Sequence, residues 1–459
     1  MNIYLHVEVS ARELDSKLLL AVLAASKGHE VIVSSLGPII KGLNFKILSP
    51  GIFHTKSLTP GKDKIDRHQK IVDKGFKITS IDEESGVDSY GYDKFAKSRY
   101  SDFTIQQSSA VFGWGSEDTN TLKKFYVKNS HKIHKTGSPR ADLWKPFFFD
   151  YWEAPRRMPK KSFLLVSTNQ ICTNMQSFHE WVKSLKDGGY FERDKDYFKN
   201  VFYGMAEDYK KLYEFIEAIK YLAKHNNGYD VVLRPHPRDN VKAWEIFFEG
   251  FLNVHIVRED SITAWVKNSF AVMHNGCTTA IEATISNKPI LTYIPFEMNY
   301  KFIKGDLANQ LGHIVKSKEK LLIKTNEIFN DLKIKKQNKA ELKISDALSQ
   351  KIYIDNNELA SEKIVKIWES LDDKNLSCSN NWTKFYWLLK VMKYTRVPRR
   401  ILGKMFPKKF KTFKENHKFP PINKNYISER ISRLQKLLSI EEKIECKILS
   451  DRTILIKKI

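Results

Sequence analysis

The chain lacks most of the features that would assign it quickly. Its 459 residues hold four cysteines, Cys172, Cys277, Cys378 and Cys446, with no CxxC pair and no His/Cys ligand spacing. A structural zinc is thereby disfavoured, and a reduced, cytosolic setting is expected. No apolar run reaches the roughly 18 residues that a membrane-spanning helix needs. The opening Met1-Asn2-Ile3-Tyr4-Leu5-His6-Val7 has neither a basic n-region nor a long apolar core, so no signal peptide is expected. No GxGxxG follows a strand, which leaves nothing to favour a dinucleotide cofactor. Acidic residues are also short: 53 stand against 77 lysines and arginines, a formal charge of +24. Such a surplus can attract nucleic acid, an anionic membrane surface or a polyanionic substrate.

What is present describes a folded α/β protein. A composition of 42% apolar and 12% aromatic residues is that of globular chains. Ile3, Leu5, Val7 and Val9 alternate with polar residues as in a strand. Ser10 and Glu13 have capping-box spacing, with Glu13 as the cap partner, and Leu14, Leu18, Val22 and Ala25 continue at helical spacing to Gly28. Further strands are expected at Phe45–Leu48, Phe76–Ile81, Ala110–Phe112 and Ile133–Lys135. A second series begins with Phe163–Val166. It continues through strands at Val231–Leu233, Val254–Val257, Phe270–His274 and Ile290–Tyr293, with helices between them.

Short strands alternating with helices imply parallel, doubly wound sheets. The expected architecture is two Rossmann-like domains facing a cleft: an N-terminal domain over residues 1–152, a proline-rich linker over 153–161, and a C-terminal domain over 162–325. A lysine-rich segment with a crossing helix follows over 326–375, and a basic, aromatic extension over 376–459. Within that extension, Trp382–Lys418 carries twelve lysines and arginines and a single acid, Glu415. Apolar rings beside many cations suit an anionic membrane surface; a solvated helix packing its aromatic face on the core is the next reading, and nucleic acid the least favoured partner.

Two strand-end turns carry the candidate chemistry. Val231-Val232-Leu233 runs into Arg234-Pro235-His236-Pro237-Arg238, where prolines stiffen a turn bearing two cations and an imidazole. Arginine can fork onto a phosphate, and the imidazole can donate to a phosphate or ribose oxygen. Met273-His274 runs into Asn275-Gly276-Cys277-Thr278-Thr279. Hydroxyls there begin a helix whose first turn holds Glu282. Glu282 suits ribose hydroxyls, or it closes a capping box with the threonines. Ser167 and Thr168 end the first strand of the same series. The two turns are expected on neighbouring strands, gripping the phosphates and ribose of one nucleotide.

In the first domain, Asp82, Glu83 and Glu84 follow an apolar strand. Their mutual repulsion should raise at least one pKa, as a general base or a nucleophile requires. Arg12, His54 and Lys56 are candidate acceptor or cleft contacts. His6 reads as a satisfied interior histidine.

With these residues in view, the chain resembles the bacterial surface carbohydrate biosynthesis proteins, which look like two-domain GT-B glycosyltransferases. The resemblance rests on Arg12-Glu13-Leu14-Asp15-Ser16, Gly51–Ser57, Asp82-Glu83-Glu84-Ser85-Gly86, Phe112-Gly113-Trp114-Gly115, Thr136–Asp142 and the two turns, and leaves the tail uncovered. The Thr136–Asp142 segment is similar to the junction of GT-B sugar-nucleotide enzymes, including nonhydrolysing 2-epimerases. The Arg-Pro-His-Pro turn is similar to that of Kdo transferases and teichoic-acid polyol-phosphate polymerases. An acidic pair before glycine, an HP dipeptide and a Ser/Thr pair resemble bacterial sialyltransferases.

These resemblances imply a glycosyltransferase of lipopolysaccharide or capsule synthesis that takes a CMP-linked ulosonic acid from a nucleotide-sugar donor. The acceptor would be a glycan or lipid-linked glycan, and the enzyme would work in the cytoplasm at the inner face of the cell membrane. No DxD-like site lies near the donor turns, so no metal and no cofactor are expected. The alternatives are a CDP-polyol phosphate transferase, a sugar-nucleotide epimerase acting without an acceptor, and a non-catalytic basic nucleic-acid binder.

Overall fold

A computed structural model describes residues 1–85, 92–169, 178–187, 189, 195–236, 239–296, 307–334, 346–372, 380–405 and 418–459. Fourteen strands occur among the described residues. Six come from the first third of the chain: β1 (Asn2–His6), β2 (Glu30–Ser34), β3 (Ile52–Thr55), β4 (Lys77–Ile81), β5 (Ser108–Gly113) and β6 (Ile133–Lys135). Six follow as β7 (Phe163–Ser167), β8 (Asp230–Arg234), β9 (Val254–Ile256), β10 (Ala271–His274), β11 (Ile290–Tyr293) and β12 (His313–Val315). The last two, β13 (Ile444–Ser450) and β14 (Thr453–Lys458), lie at the end of the chain.

These strands build two sheets in two compact units. One unit comprises Met1–Leu143 with Ser349–Ile459, the other Trp144–Leu348. The α/β class with two parallel, Rossmann-like sheets is therefore as expected. The boundaries differ: the break comes at Leu143/Trp144, the 153–161 stretch belongs to the second unit, and the tail belongs to the first.

The first sheet runs β13-β14-β2-β1-β3-β4-β5-β6. From β2 to β6 every pairing is parallel, and the order reverses between β1 and β3. Phe45–Leu48 forms no strand. The helix Leu36–Asn44 ends there, Lys46 takes a positive φ of 53°, and the strand begins only at Ile52. The hairpin β13–β14 adds antiparallel to β2, pairing Ile454 with Val33 and Leu455 with Ile32. Ile454 and Ile456 are fully buried, so the tail completes a core instead of extending from one.

Asn380 fixes the start of this return. Its Nδ2 donates to Asn2 Oδ1 at 2.8 Å, and its Oδ1 accepts from the Ser49 amide and the Tyr4 hydroxyl at 2.8 and 2.9 Å. A helix forms at Ala360–Ser370, close to the expected span, and packs within the first unit. Asp142 caps it by accepting from the Ala360 and Ser361 amides and the Ser361 hydroxyl. Gly137 in the same segment holds φ of 82° against the Tyr353 backbone, where a side chain would collide.

The second sheet runs β12-β11-β10-β7-β8-β9, parallel throughout. From β7 the chain builds β8 and β9 on one side, then returns to lay β10, β11 and β12 on the other. The reversal falls between β7 and β10, the position outside which ligands bind in open α/β sheets. Leu164, Val166, Val231, Leu233, Ala271 and Met273 are fully buried between the helix layers, as central parallel strands require.

Candidate functional site

In the second unit, the strands carrying the two conspicuous turns are not neighbours, because β7 lies between them. The end of β7 joins them. Ser167 Oγ lies 3.1 Å from Thr279 Oγ1 and 3.2 Å from Cys277 Sγ, toward one turn. Thr168 serves the other: its Oγ1 donates to Asp239 Oδ2 at 2.8 Å and accepts the His236 amide at 2.9 Å. Asn169 Nδ2 donates to the Gly276 carbonyl at 2.9 Å. Three consecutive polar residues thus hold both turns on one strand end. Ser167 and Thr168 are buried and occupied by these bonds, so they position the turns and offer no free hydroxyl to a ligand.

Asp239, which the sequence reading overlooked, organises the first turn. Its Oδ2 also accepts from the His236 amide and from Trp244 Nε1, both at 3.2 Å, and burial raises its pKa. The available signal was an aspartate three residues after the histidine, the spacing at which a carboxylate reaches back to a turn amide. Arg234 departs from expectation. Two of its five donors go to the Glu259 and Asp260 carbonyls at 2.6 and 2.7 Å, and burial lowers its pKa to about 10. It braces the neighbouring loop. His236 is half-buried, and Arg238 lies outside the described residues.

The second turn is fixed from below by His274. The Gly276 amide donates to its Nδ1 at 3.0 Å, so Nε2 carries the hydrogen and faces Thr292 Oγ1 at 2.9 Å. That hydroxyl donates onward to the Leu311 carbonyl at 2.6 Å. Burial lowers the His274 pKa to about 3, so the ring stays neutral and the relay keeps one direction. Gly276 turns through φ of 109°, a conformation open to glycine.

Thr278 is exposed, and Thr279 begins a helix of 7 residues without a side-chain cap. The capping box with Glu282 is therefore absent, although Glu282 is buried in its first turn. Asn275 stands out. It is 5% exposed, yet among the described residues neither its amide nitrogen nor its amide oxygen has a hydrogen-bond partner. A sheltered, unsatisfied amide costs about 1–3 kcal/mol.

In the first unit, the acidic trio separates into three roles. Asp82 is fully buried and receives Arg99 in a forked pair, both contacts at 2.8 Å. Its pKa is raised by burial, against the pull of Arg99, and the charge of Glu84 adds only a lesser push. The raised pKa is as expected, but desolvation causes it ahead of mutual repulsion. Glu83 is 4% exposed and pairs with the buried Lys17 ammonium at 3.0 Å. Glu84 has a side chain 45% exposed, with Arg99 at 3.5 Å and Arg12 at 3.6 Å. Trp114 Nε1 donates to the Asp82 carbonyl, and Arg140 to that of Glu83, each at 2.9 Å.

Glu13 sits beside them on the opening helix. It does not close the expected box with Ser10, because the helix starts one residue earlier than that box requires. Its Oε2 accepts the Glu8 amide at 2.8 Å, and burial, then the charge of Glu83, raises its pKa. Arg12 faces Glu13 and Glu84, each at 3.6 Å, so carboxylates already match its charge. Lys56 pairs with Glu8 at 2.6 Å.

His54 is no cleft residue. It is fully buried against Phe112 and Trp368, and its Nδ1 lies 3.0 Å from Thr79 Oγ1. His6 is buried as expected, but its Nδ1 lacks a partner among the described residues. Lys17, Arg99 and Arg140 gave no local signal of site membership beyond their charge, since their partners are 66, 17 and 57 positions away.

No family model matches this chain, and no curated protein does. Among solved structures it is similar to one from Listeria monocytogenes, provisionally assigned as a UDP-N-acetylglucosamine 2-epimerase. Identity there is 13%, coverage 81% of this chain and 96% of that one, and the TM-score 0.49. It is also similar to the S. aureus MnaA–UDP structure, at 14% identity, 81% and 98% coverage and a TM-score of 0.44. The wall teichoic acid polymerase TagF aligns at 9% identity over 82% and 90%, with a TM-score of 0.43.

Proposed function

We propose that this chain is a glycosyltransferase of surface-glycan synthesis. The donor nucleotide would sit at the β7/β10 reversal of the second unit, and an acceptor hydroxyl would be activated by a carboxylate of the first. The observation that carries the reading is Asn275: a buried amide with both polar atoms unpartnered, at the point of the sheet where ligands bind. His236, Thr278 and Glu282 would complete the donor contacts. Of the acidic trio, Glu84 would face the acceptor, since Asp82 and Glu83 are each sheltered and neutralised by a cation. A CMP-linked ulosonic acid is the donor favoured by the motif resemblance. Leaving-phosphate charge would be met by amides, hydroxyls and imidazole, with no metal required.

A melting-point screen of the whole chain against CMP-, CDP-, UDP- and GDP-compounds tests this, because a ligand that binds only the native state raises its melting temperature. A shift with a CMP-sugar that disappears in Asn275→Ala supports the reading. A CDP-polyol response would favour polyol-phosphate transfer, and a UDP-sugar converted without acceptor would favour epimerisation. No response to any of the four would remove the nucleotide site altogether.

A further inference from the structure

The basic, aromatic stretch after Asn380 takes no part in the proposed chemistry. It forms a helix, Trp382–Met405, whose apolar residues fall into two opposed sets. Phe385, Leu389 and Met392 are buried, and the first two join the core of the first unit. On the other side Trp387, Val391 and Tyr394 are 60, 56 and 74% exposed. Their spacing, i, i+4 and i+7, makes one continuous stripe. Lys390 lies over the rings of Tyr386 and Trp387, 4.7 and 4.9 Å from their centroids, and Lys384 and Lys393 are exposed beside them. Phe45, 64% exposed, adds a ring near the helix start, where Ile47 accepts the Asn381 amide. The core face alone would hold this helix in place. The second apolar face is open to solvent.

We propose that this stripe docks the protein on an anionic lipid bilayer, with the rings at the headgroup boundary and the lysines on lipid phosphates. Charge decides the occupant. Lys384, Lys390 and Lys393 are the described cations of the helix, and its sequence from Trp382 to Met405 holds no acid. A second copy of the chain would bring like charges together, whereas acidic lipid compensates them. Val391 lies at the middle of the stripe, where a platform for stacked bases would carry a ring. No described helix is long and apolar enough to cross a membrane, so the contact would be peripheral. The inference stands apart from the nucleotide site.

The test is flotation of the full chain with vesicles of phosphatidylcholine, alone or mixed with phosphatidylglycerol, beside the triple variant Trp387→Ser, Val391→Ser, Tyr394→Ser. Wild type should bind the mixed vesicles about tenfold more tightly than the neutral ones, less so at high salt. The triple variant should lose that binding while keeping its circular dichroism spectrum and melting temperature. Equal binding of both vesicle types, or retained binding by the triple variant, would overturn the proposal. So would a wild type that ignores vesicles and instead dimerises, or binds RNA, through the same three residues.

Discussion

Thr168 Oγ1 donates to Asp239 Oδ2 at 2.8 Å and accepts the His236 amide at 2.9 Å, and this one hydroxyl ties the Arg-Pro-His-Pro turn to the end of β7. The prolines stiffen the turn locally, and the Thr168 hydroxyl, bonded to both the His236 amide and Asp239, holds His236 in place. Thr168→Val, nearly isosteric, should therefore weaken nucleotide binding by about 1–2 kcal/mol, and Thr168→Ser should restore it. Titration calorimetry separates the cases. Unchanged affinity in the valine variant would mean the turn needs no such anchor.

Asn275→Leu should separate stability from binding. Replacing an unsatisfied buried amide by an apolar group of similar size removes its desolvation cost, so the ligand-free variant should be more stable by about 1–3 kcal/mol. Its nucleotide-induced rise in melting temperature should vanish. A destabilised Asn275→Leu that still responds to nucleotide would contradict the role given to this residue.

The acidic trio predicts contrasting phenotypes. Asp82→Asn leaves Arg99 facing a neutral amide and should destabilise the first unit by about 1–3 kcal/mol, allowing for the partial exposure of Arg99. Glu84→Gln should hardly move the melting temperature but should cut turnover while donor binding persists. Urea unfolding with a turnover assay reads both. The reverse pattern would shift the catalytic assignment to Asp82.

His274 makes stability pH-dependent in a known direction. Its pKa is about 3 in the folded protein against 6.5 for a free histidine. Between those values the unfolded chain binds the extra proton, so this residue's contribution is complete above pH 6.5 and lost as pH falls. The slope is about 1.4 kcal/mol per pH unit for one proton. His274→Gln should be less stable at neutral pH and should show a shallower decline from pH 6 to pH 4. Parallel profiles for wild type and variant would show that the ring is protonated in the fold.

Much of the first-order organisation was legible in the chain. The Ile290–Tyr293 strand and the Ile262–Asn268 helix sit where periodicity places them, because a short apolar run with a polar start and stop has few alternatives. The hairpin β13–β14 was missed even though Ile454-Leu455-Ile456 is a clear apolar run. Its partner, β2, lies more than 400 residues away, and no local signal names a partner at that distance.

Residue types and their strand-end positions are what the sequence by itself determined. It places a stiff cationic turn after β8, a polar loop after β10 and three carboxylates after β4, because alternation, proline and glycine act within a few residues. Tertiary structure alone decided what each side chain is free to do. Arg234 is drawn to the Glu259 and Asp260 carbonyls, Asp82 to Arg99 and Glu83 to Lys17, and His54 is sealed behind Trp368, while Asn275 is left buried without a partner. Those outcomes depend on which groups share a dry neighbourhood. Only the crossing of distant segments fixes that.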